Sequence, residues 1–162
     1  AVAEDLTALP SFEEPGEPEF LEEEMKLVAN MKKVVLATLG LAAQKFGKAL
    51  KDEQEVLSDI ADVCMEAYAC ESGVLRALKK AGKDGEESAA AMADMLTLGV
   101  HDSMDKVAVL ARNILGNTVD GDELRTYAAG LRRLTKHDPV SRSQLHDRIA
   151  DRVIKANGWT VG

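Results

Sequence analysis

Apolar side chains recur every three or four residues along most of this chain, the spacing of an amphipathic α-helix. Five such stretches are separated by short turns rich in glycine, asparagine or proline. Their apolar positions include Leu21, Met25, Val28, Val35, Leu39, Ala42 and Phe46; Val56, Ile60, Val63, Ala67, Val74 and Leu78; Met92, Leu96, Val100, Met104, Val107, Leu110 and Ile114; then Leu145, Ile149 and Val153 after a shorter fourth stretch. The pattern predicts an all-α fold, an antiparallel helical bundle of three long and two shorter helices.

Polar residues at the turns predict the helix boundaries. Three acidic capping boxes, Asp52 with Glu55, Asp84 with Glu87 and Asp120 with Glu123, predict the starts of the second, third and fourth helices. Asp138-Pro139 predicts the start of the fifth. The predicted helix ends are Phe46-Gly47, Gly82, Gly116-Asn117, Leu134 and Asn157-Gly158. The two shorter helices are expected to cover the side that the three long ones leave open.

Residues 1–18 differ from the rest of the chain. They contain Pro10, Pro15, Gly16 and Pro18 among acidic residues and predict an extended linker, with residues 19–162 forming the helical bundle domain. The first residue is Ala1 instead of methionine, which fits either removal of the initiator or a fragment of a longer polypeptide.

The net charge of −8 belongs mainly to the first 24 residues, which hold nine acidic residues and no lysine or arginine. The remainder is close to neutral and lacks the clustered bases that nucleic-acid binding requires. No apolar run approaches the length of a membrane span, so at most peripheral lipid contact is expected. Two cysteines too far apart on one helix for a disulfide, Cys64 and Cys70, favour a cytoplasmic protein.

Candidate catalytic and metal-binding residues are few. A di-metal site in a helical bundle needs Glu-x-x-His, yet Leu98, Leu134 and Ser143 stand three residues before the three histidines. His101-Asp102 is a candidate acid–base pair, but adjacent helix positions point about 100° apart, so a surface or core histidine is favoured. Cys64 or Cys70 as a nucleophile is less favoured than simple packing. We therefore predict no catalytic, cofactor-binding or metal-binding residue in this chain.

Two surface features remain open at this point. The fourth helix ends in a basic patch that consists of Arg125, Arg132, Arg133 and Lys136. Basic side chains stabilise the C-terminal end of a helix, so this role is favoured for the patch. The alternative is a docking site for an acidic partner, such as the chain's own N-terminal segment. The first helix is apolar around most of its circumference between Met31 and Leu50. Such a helix is either central in its bundle or buried against another subunit or domain.

Residues Met31–Lys79 resemble the region that follows the catalytic core in very-long-chain-type acyl-CoA dehydrogenases. The likeness lies in Gln44-Lys45-Phe46-Gly47, Glu53-Gln54, Ile60-Ala61-Asp62, Ala67-Tyr68-Ala69 and Glu71-Ser72, and returns loosely at the Gly-Trp terminus. These look like packing and capping residues, so none is assigned a catalytic role. The resemblance weakens after Lys80.

The resemblance implies a non-catalytic C-terminal helical domain of a bacterial enzyme. The parent enzyme would use FAD to oxidise the α,β bond of a long-chain acyl-CoA in fatty-acid β-oxidation, with FAD bound in the preceding core. The domain would pack on that core, contribute to a homo-oligomer, or position the enzyme near protein or lipid partners. The alternatives are a free-standing helical adaptor that self-associates through its first helix and, last, a small helical enzyme using His101 or a cysteine.

Overall fold

The computed structural model describes residues 19–158, 160 and 161, which are mostly helical and contain no strand. The helices are α1 (Glu22–Phe46), a short 3₁₀ helix (Gly47–Asp52), α2 (Gln54–Asp84), α3 (Glu86–Thr118), α4 (Gly121–Leu134) and α5 (Arg142–Ala156). The predicted all-α fold with three long and two shorter helices is confirmed. The predicted linker, residues 1–18, lies outside the described residues, as do Trp159 and Gly162, so the linker stays a prediction.

Helix α3 is the centre of the bundle, because it packs against all four other α-helices. Its inward side chains Met104, Val107 and Ile114 are completely buried, among Met31 of α1 and Val63 of α2. Helix α4 packs on α1 and α3, whereas α5 contacts only α3 among the described helices. Both shorter helices therefore pack on α3, and neither contacts α2. The expected cover by the shorter helices is thus present over α1 and α3 and absent over the outward side of α2.

Two glycines bring α2 and α3 together as a tight pair. Gly85 alone separates the two helices, and its φ of 86° lies in the left-handed region that favours glycine. Its N–H donates to the carbonyl oxygen of Ala81 at 2.9 Å. Within the pair, a Cβ at Gly73 would lie only 2.6 Å from Cδ2 of Leu96. The chain thus reverses within one residue, and the two longest helices approach closely.

The predicted capping boxes are wrong in detail. Asp52 belongs to the 3₁₀ helix, and Asp84 ends α2 and accepts a hydrogen bond from Lys80 Nζ at 3.4 Å instead of capping α3. Asp120 does stand at the N-cap of α4, but its side chain makes no capping hydrogen bond. The break between α2 and α3 falls at Gly85, because its left-handed backbone ends one helix and begins the next without any side-chain cap.

Three further helix boundaries differ from their predictions. Gly82 and the pair Gly116-Asn117 lie inside α2 and α3, which end two residues after Gly82 and one residue after Asn117. Helix α5 begins at Arg142 and not at Asp138-Pro139. The segment before α5 is held against α3 by His137, whose Nε2 lies 3.2 Å from Oδ1 of Asp105. The predicted ends at Phe46-Gly47, Leu134 and Asn157-Gly158 are confirmed, with Asn157 closing α5 in the left-handed conformation.

Helix α5 is fastened to α3 largely through ion pairs. Asp94 of α3, whose side chain is only 14% exposed, is bound by Arg148 and Arg152 of α5. Burial acts to raise the pKa of Asp94, but the hydrogen bonds and charges of the two arginines outweigh it and hold that pKa below its ordinary value. Arg142 at the start of α5 binds Asp102 and Asp105 in the same way.

The substitution Asp94→Asn is expected to loosen α5 and to lower the Tm near neutral pH by about 2–4 °C. The ionised carboxylate is the bound form, so its stabilisation is present above the ordinary aspartate pKa of about 3.9 and is lost as the pH falls through the lower folded-state value. Thermal unfolding is measured at neutral and at strongly acidic pH. The difference in Tm between Asp94→Asn and the wild type should be smaller at acidic pH. Asp147→Asn, an exposed acid on α5, is the control. An Asp94→Asn deficit that stays constant with pH would contradict the ion-pair interpretation.

Candidate functional site

His101 lies inside the bundle, with only 1% of its surface exposed. Its Nδ1 is 2.7 Å from the carbonyl oxygen of Thr97 and donates to it, because a carbonyl can only accept. The ring packs edge-on against His137, with centroids 4.9 Å apart. Asp102 points elsewhere and accepts a hydrogen bond from Nε of Arg142 at 2.8 Å. The two residues of the candidate acid–base pair are therefore not brought together.

The other ring nitrogen of His101, Nε2, has no hydrogen-bond partner. It lies 3.7 Å from Oε1 of Glu23 in the first turn of α1. Next to it, the buried carboxylate of Glu24 accepts a hydrogen bond from the hydroxyl of Thr97. The imidazole contacts a carbonyl, a second imidazole and a carboxylate, and none of these three groups is a nucleophile awaiting a base. This part of α3 therefore holds the first turn of α1 in place.

Cys70 is not placed as a nucleophile. Cys64 and Cys70 are both unbridged on α2. Burial is the main effect that raises the pKa of the Cys70 thiol, which a hydrogen bond with Ser103 only partly offsets. A thiol with a raised pKa stays protonated at neutral pH and reacts poorly. The described residues also contain no group of three or more histidine, cysteine, aspartate or glutamate side chains able to hold a metal ion.

The basic end of α4 lies beside the acidic start of α1. Arg133 and Lys136 line one part of an open surface hollow of about 640 Å³, and Glu19, Glu22 and Glu23 line another. Arg125 is instead paired with Asp122 on its own helix. The part of the acidic segment that the structure describes, residues 19–24, thus faces the basic patch, which supports the chain's own N-terminal region as its acidic neighbour.

Among the described residues, seven large apolar side chains are exposed, and five of them lie on the neighbouring helices α1 and α2. The five are Leu36 and Leu39 of α1, at 56% and 41% exposure, and Met65, Tyr68 and Leu75 of α2, at 59%, 74% and 58%. We call these five residues the outer face. The other two, Val109 of α3 and Ile154 of α5, stand singly on their helices. Single exposed apolar residues are common, but a group on two neighbouring helices is typical of an interaction surface.

The sequence predicted only the α1 part of the outer face. Its α1 part matches the predicted all-round apolar helix: one side of α1 packs on α2, α3 and α4, while Leu36 and Leu39 point outward. Tyr68, taken as a packing residue in the resemblance, is the most exposed member. The α2 part of the outer face corresponds to a second apolar stripe on α2, opposite the stripe that is buried in the core.

Comparison with known proteins defines the class of this domain. The sequence model of the family described as "Acyl-CoA dehydrogenase, C-terminal domain" matches residues 30–133. The chain therefore belongs to this family, and the resemblance inferred from Met31–Lys79 is confirmed. The match continues well beyond Lys80, where the resemblance had weakened, and it includes every residue of the outer face.

Two relatives show how the domain compares with whole proteins. A "Probable acyl-CoA dehydrogenase" of Bacillus subtilis (strain 168) is 37% identical over 149 residues, which are 92% of this chain and 25% of that protein. The crystal structure of an acyl-CoA dehydrogenase complexed with FAD from Bacillus anthracis matches with a TM-score of 0.90 and 33% identity, covering 99% of this chain and 26% of that one. The chain thus spans about a quarter of the length of these relatives.

Proposed function

We propose that this chain is the non-catalytic C-terminal helical domain of an FAD-dependent acyl-CoA dehydrogenase of fatty-acid β-oxidation, and that it packs on the catalytic part of that enzyme. The observation that carries the proposal is the match of the whole domain to one quarter of an FAD-containing acyl-CoA dehydrogenase. In such an enzyme the flavin accepts the electrons when the acyl-CoA is oxidised. The enzyme would work in the cytoplasm, in keeping with two unbridged cysteines.

The hollows of cofactor size on the described residues do not fit FAD. The enclosed apolar cleft between α1, α3 and α4 has a volume of only about 10 Å³, whereas cofactor sites are typically about 300–1,000 Å³. The larger open hollow beside α1 carries five acidic side chains against three lysines and arginines: Glu19, Glu22, Glu23, Glu24 and Asp138 against Lys26, Arg133 and Lys136. Such a surface disfavours a diphosphate, and so does the open hollow of about 660 Å³ between α2 and α3, which carries Glu55 and Asp59 against Arg112. The flavin would therefore be bound by the rest of the polypeptide, and this domain contributes packing.

Membrane insertion plays no part in the proposal. Across residues 19–158, 160 and 161, none of the helices combines the length and the apolar character needed to cross a bilayer. We propose instead that the domain acts through contacts of its surface, with the catalytic part first, then a second subunit or a peripheral lipid layer. A free-standing self-associating adaptor is the second candidate, since the exposed outer face would also serve that purpose.

The coding sequence upstream of Ala1 tests the proposal directly. We expect it to encode a flavin-binding part, and we expect the protein made from the whole reading frame to be yellow with bound FAD. The 162-residue chain made alone should show no saturable quenching of FAD fluorescence. A stop codon directly upstream, or FAD bound tightly by the isolated chain, would contradict the proposal and favour the adaptor or the small-enzyme alternative respectively.

A further inference from the structure

We propose that the outer face is the surface through which this domain docks on the remaining part of its own polypeptide, where an apolar helix covers it. This inference rests on the proposed function, because it takes the domain to be part of a longer enzyme. It goes further by naming the docking surface and the geometry of its occupant.

The outward residues of α2 have the spacing of a helix-packing seam. Ala61, Met65, Tyr68, Ser72 and Leu75 follow one another at intervals of four, three, four and three residues, and Ala61 and Ser72 are also exposed. At about 100° per residue, these positions lie on one strip of the helix surface. The strip is opposite the buried stripe of the same helix, which includes Val63, Ala67 and Val74. Helix α2 is therefore apolar on two opposite sides, and the domain itself covers only one of them.

Helix α1 adds further exposed apolar surface beside this strip of α2. An ion pair joins the two helices at the surface, with Nζ of Lys32 2.7 Å from Oε1 of Glu71. Leu36 lies one turn after Lys32, and Tyr68 lies one turn before Glu71, so their side chains flank the same groove. Leu39 continues the apolar surface along α1. A helix placed over α2 and inclined by about 20°, as in common helix pairs, would contact both helices.

The charges beside the outer face disfavour a membrane or a nucleic acid as its occupant. Lys32 is paired with Glu71, and on the other flank of α2 Nζ of Lys106 is 2.6 Å from Oε1 of Glu66. The hydrogen bond from Lys106 is the main effect that lowers the pKa of Glu66, so both partners are charged at neutral pH. These two paired lysines offer little attraction to anionic lipid, and the exposed bases further along α2, Arg76 and Lys79, are fewer than the clusters of about four to eight that bind such a surface. A neutral apolar protein surface is the complementary partner.

The length of the relatives favours the same polypeptide over a second copy. This domain is about a quarter of each relative, so three quarters of such a chain is covalently attached to it. A tethered partner is present at an effective concentration on the order of millimolar. A second copy of the chain in solution is present at a much lower concentration than the attached part. The attached part therefore covers the outer face first.

Thiol labelling of Met65→Cys tests this in the protein made from the whole reading frame. The matched control is Ile154→Cys on α5, which is 73% exposed and remote in sequence from the outer face. Both are made with Cys64→Ala, and the labelled peptides are followed by mass spectrometry. We expect the M65C thiol to react at least about tenfold more slowly in the whole protein than in the 162-residue chain, because burial requires local opening before reaction. The I154C thiol should react at similar rates in both.

The other outcomes separate the possible failures. If the I154C thiol is slowed and the M65C thiol is not, the domain docks by a different surface, which overturns this inference and leaves the proposed function standing. If neither is slowed, this inference is overturned, and packing on the catalytic part is then decided by the FAD-binding experiment above. If a short bismaleimide joins M65C thiols of two subunits, the occupant is a second copy, and the inference is overturned in favour of self-association. Equal Tm values of variants and wild type establish that labelling reports docking and not unfolding.

Discussion

Replacing Met104 with alanine is expected to lower the free energy of unfolding of this chain by about 2–5 kcal/mol. Met104 lies on the central helix α3 and has no exposed surface. The truncated side chain leaves a cavity that the surrounding helices fill only partly, so both transfer energy and packing contacts are lost. Because domains are typically stable by only about 5–15 kcal/mol, the loss is a large part of the total. Urea unfolding followed by circular dichroism measures it.

The chain offers a matched control in Met65→Ala. Met65 is the same residue type in the middle of a long helix, but it is 59% exposed. Its truncation in the isolated chain should change the free energy of unfolding by no more than about 0.5 kcal/mol. Comparable losses for the two variants would contradict the assignment of Met104 to the core and of Met65 to the surface.

Thr97→Val should have the second largest effect, a loss of about 1–3 kcal/mol. The hydroxyl of Thr97 donates to the carboxylate of Glu24, which is only 7% exposed. Valine keeps the shape of threonine but leaves that carboxylate buried without this donor. The first turn of α1 is then held less firmly on α3. Thermal and urea unfolding of the purified chain provide the measurement.

A double-mutant cycle with Glu24→Gln shows whether the effect arises from this one contact. Thr97→Val should cost less when residue 24 is a neutral amide, giving a clear interaction energy between the two substitutions. Thr97→Ser, which keeps the hydroxyl, should recover most of the stability. Strict additivity of Thr97→Val and Glu24→Gln would instead indicate that the loss comes from helix packing around residue 97.

The number and length of the helices could be predicted because apolar periodicity reports burial, and burial decides most of a helical fold. The exact ends could not. Asp52 and Asp84 have the right chemistry for caps, but the backbone turn at Gly85 and the 3₁₀ helix before α2 decide where those helices begin. At α5 the contact of His137 with α3 delays the start beyond Asp138-Pro139. Such tertiary contacts override local capping preference and leave no pattern in a single sequence.

The candidate site was predictable only in part for a related reason. Periodicity shows that α1 has more apolar surface than one side of a helix needs, but it does not say which side the rest of the domain covers. That depends on α4 and α5 both packing on the side of α3. The orientation of Thr97 towards Glu24 likewise depends on how α1 crosses α3. This contact joins residues 73 positions apart, which spacing rules do not reach.

The one-residue turn at Gly85 also bears on how the chain folds. Bringing two long helices together normally requires closing a loop, and the entropy lost rises with loop length. Here the loop is a single residue, so α2 and α3 can pair while the rest of the chain is still unfolded. Proteins rich in such local contacts fold quickly. We therefore expect this helical hairpin to form the folding nucleus, on which α1, α4 and finally α5 assemble.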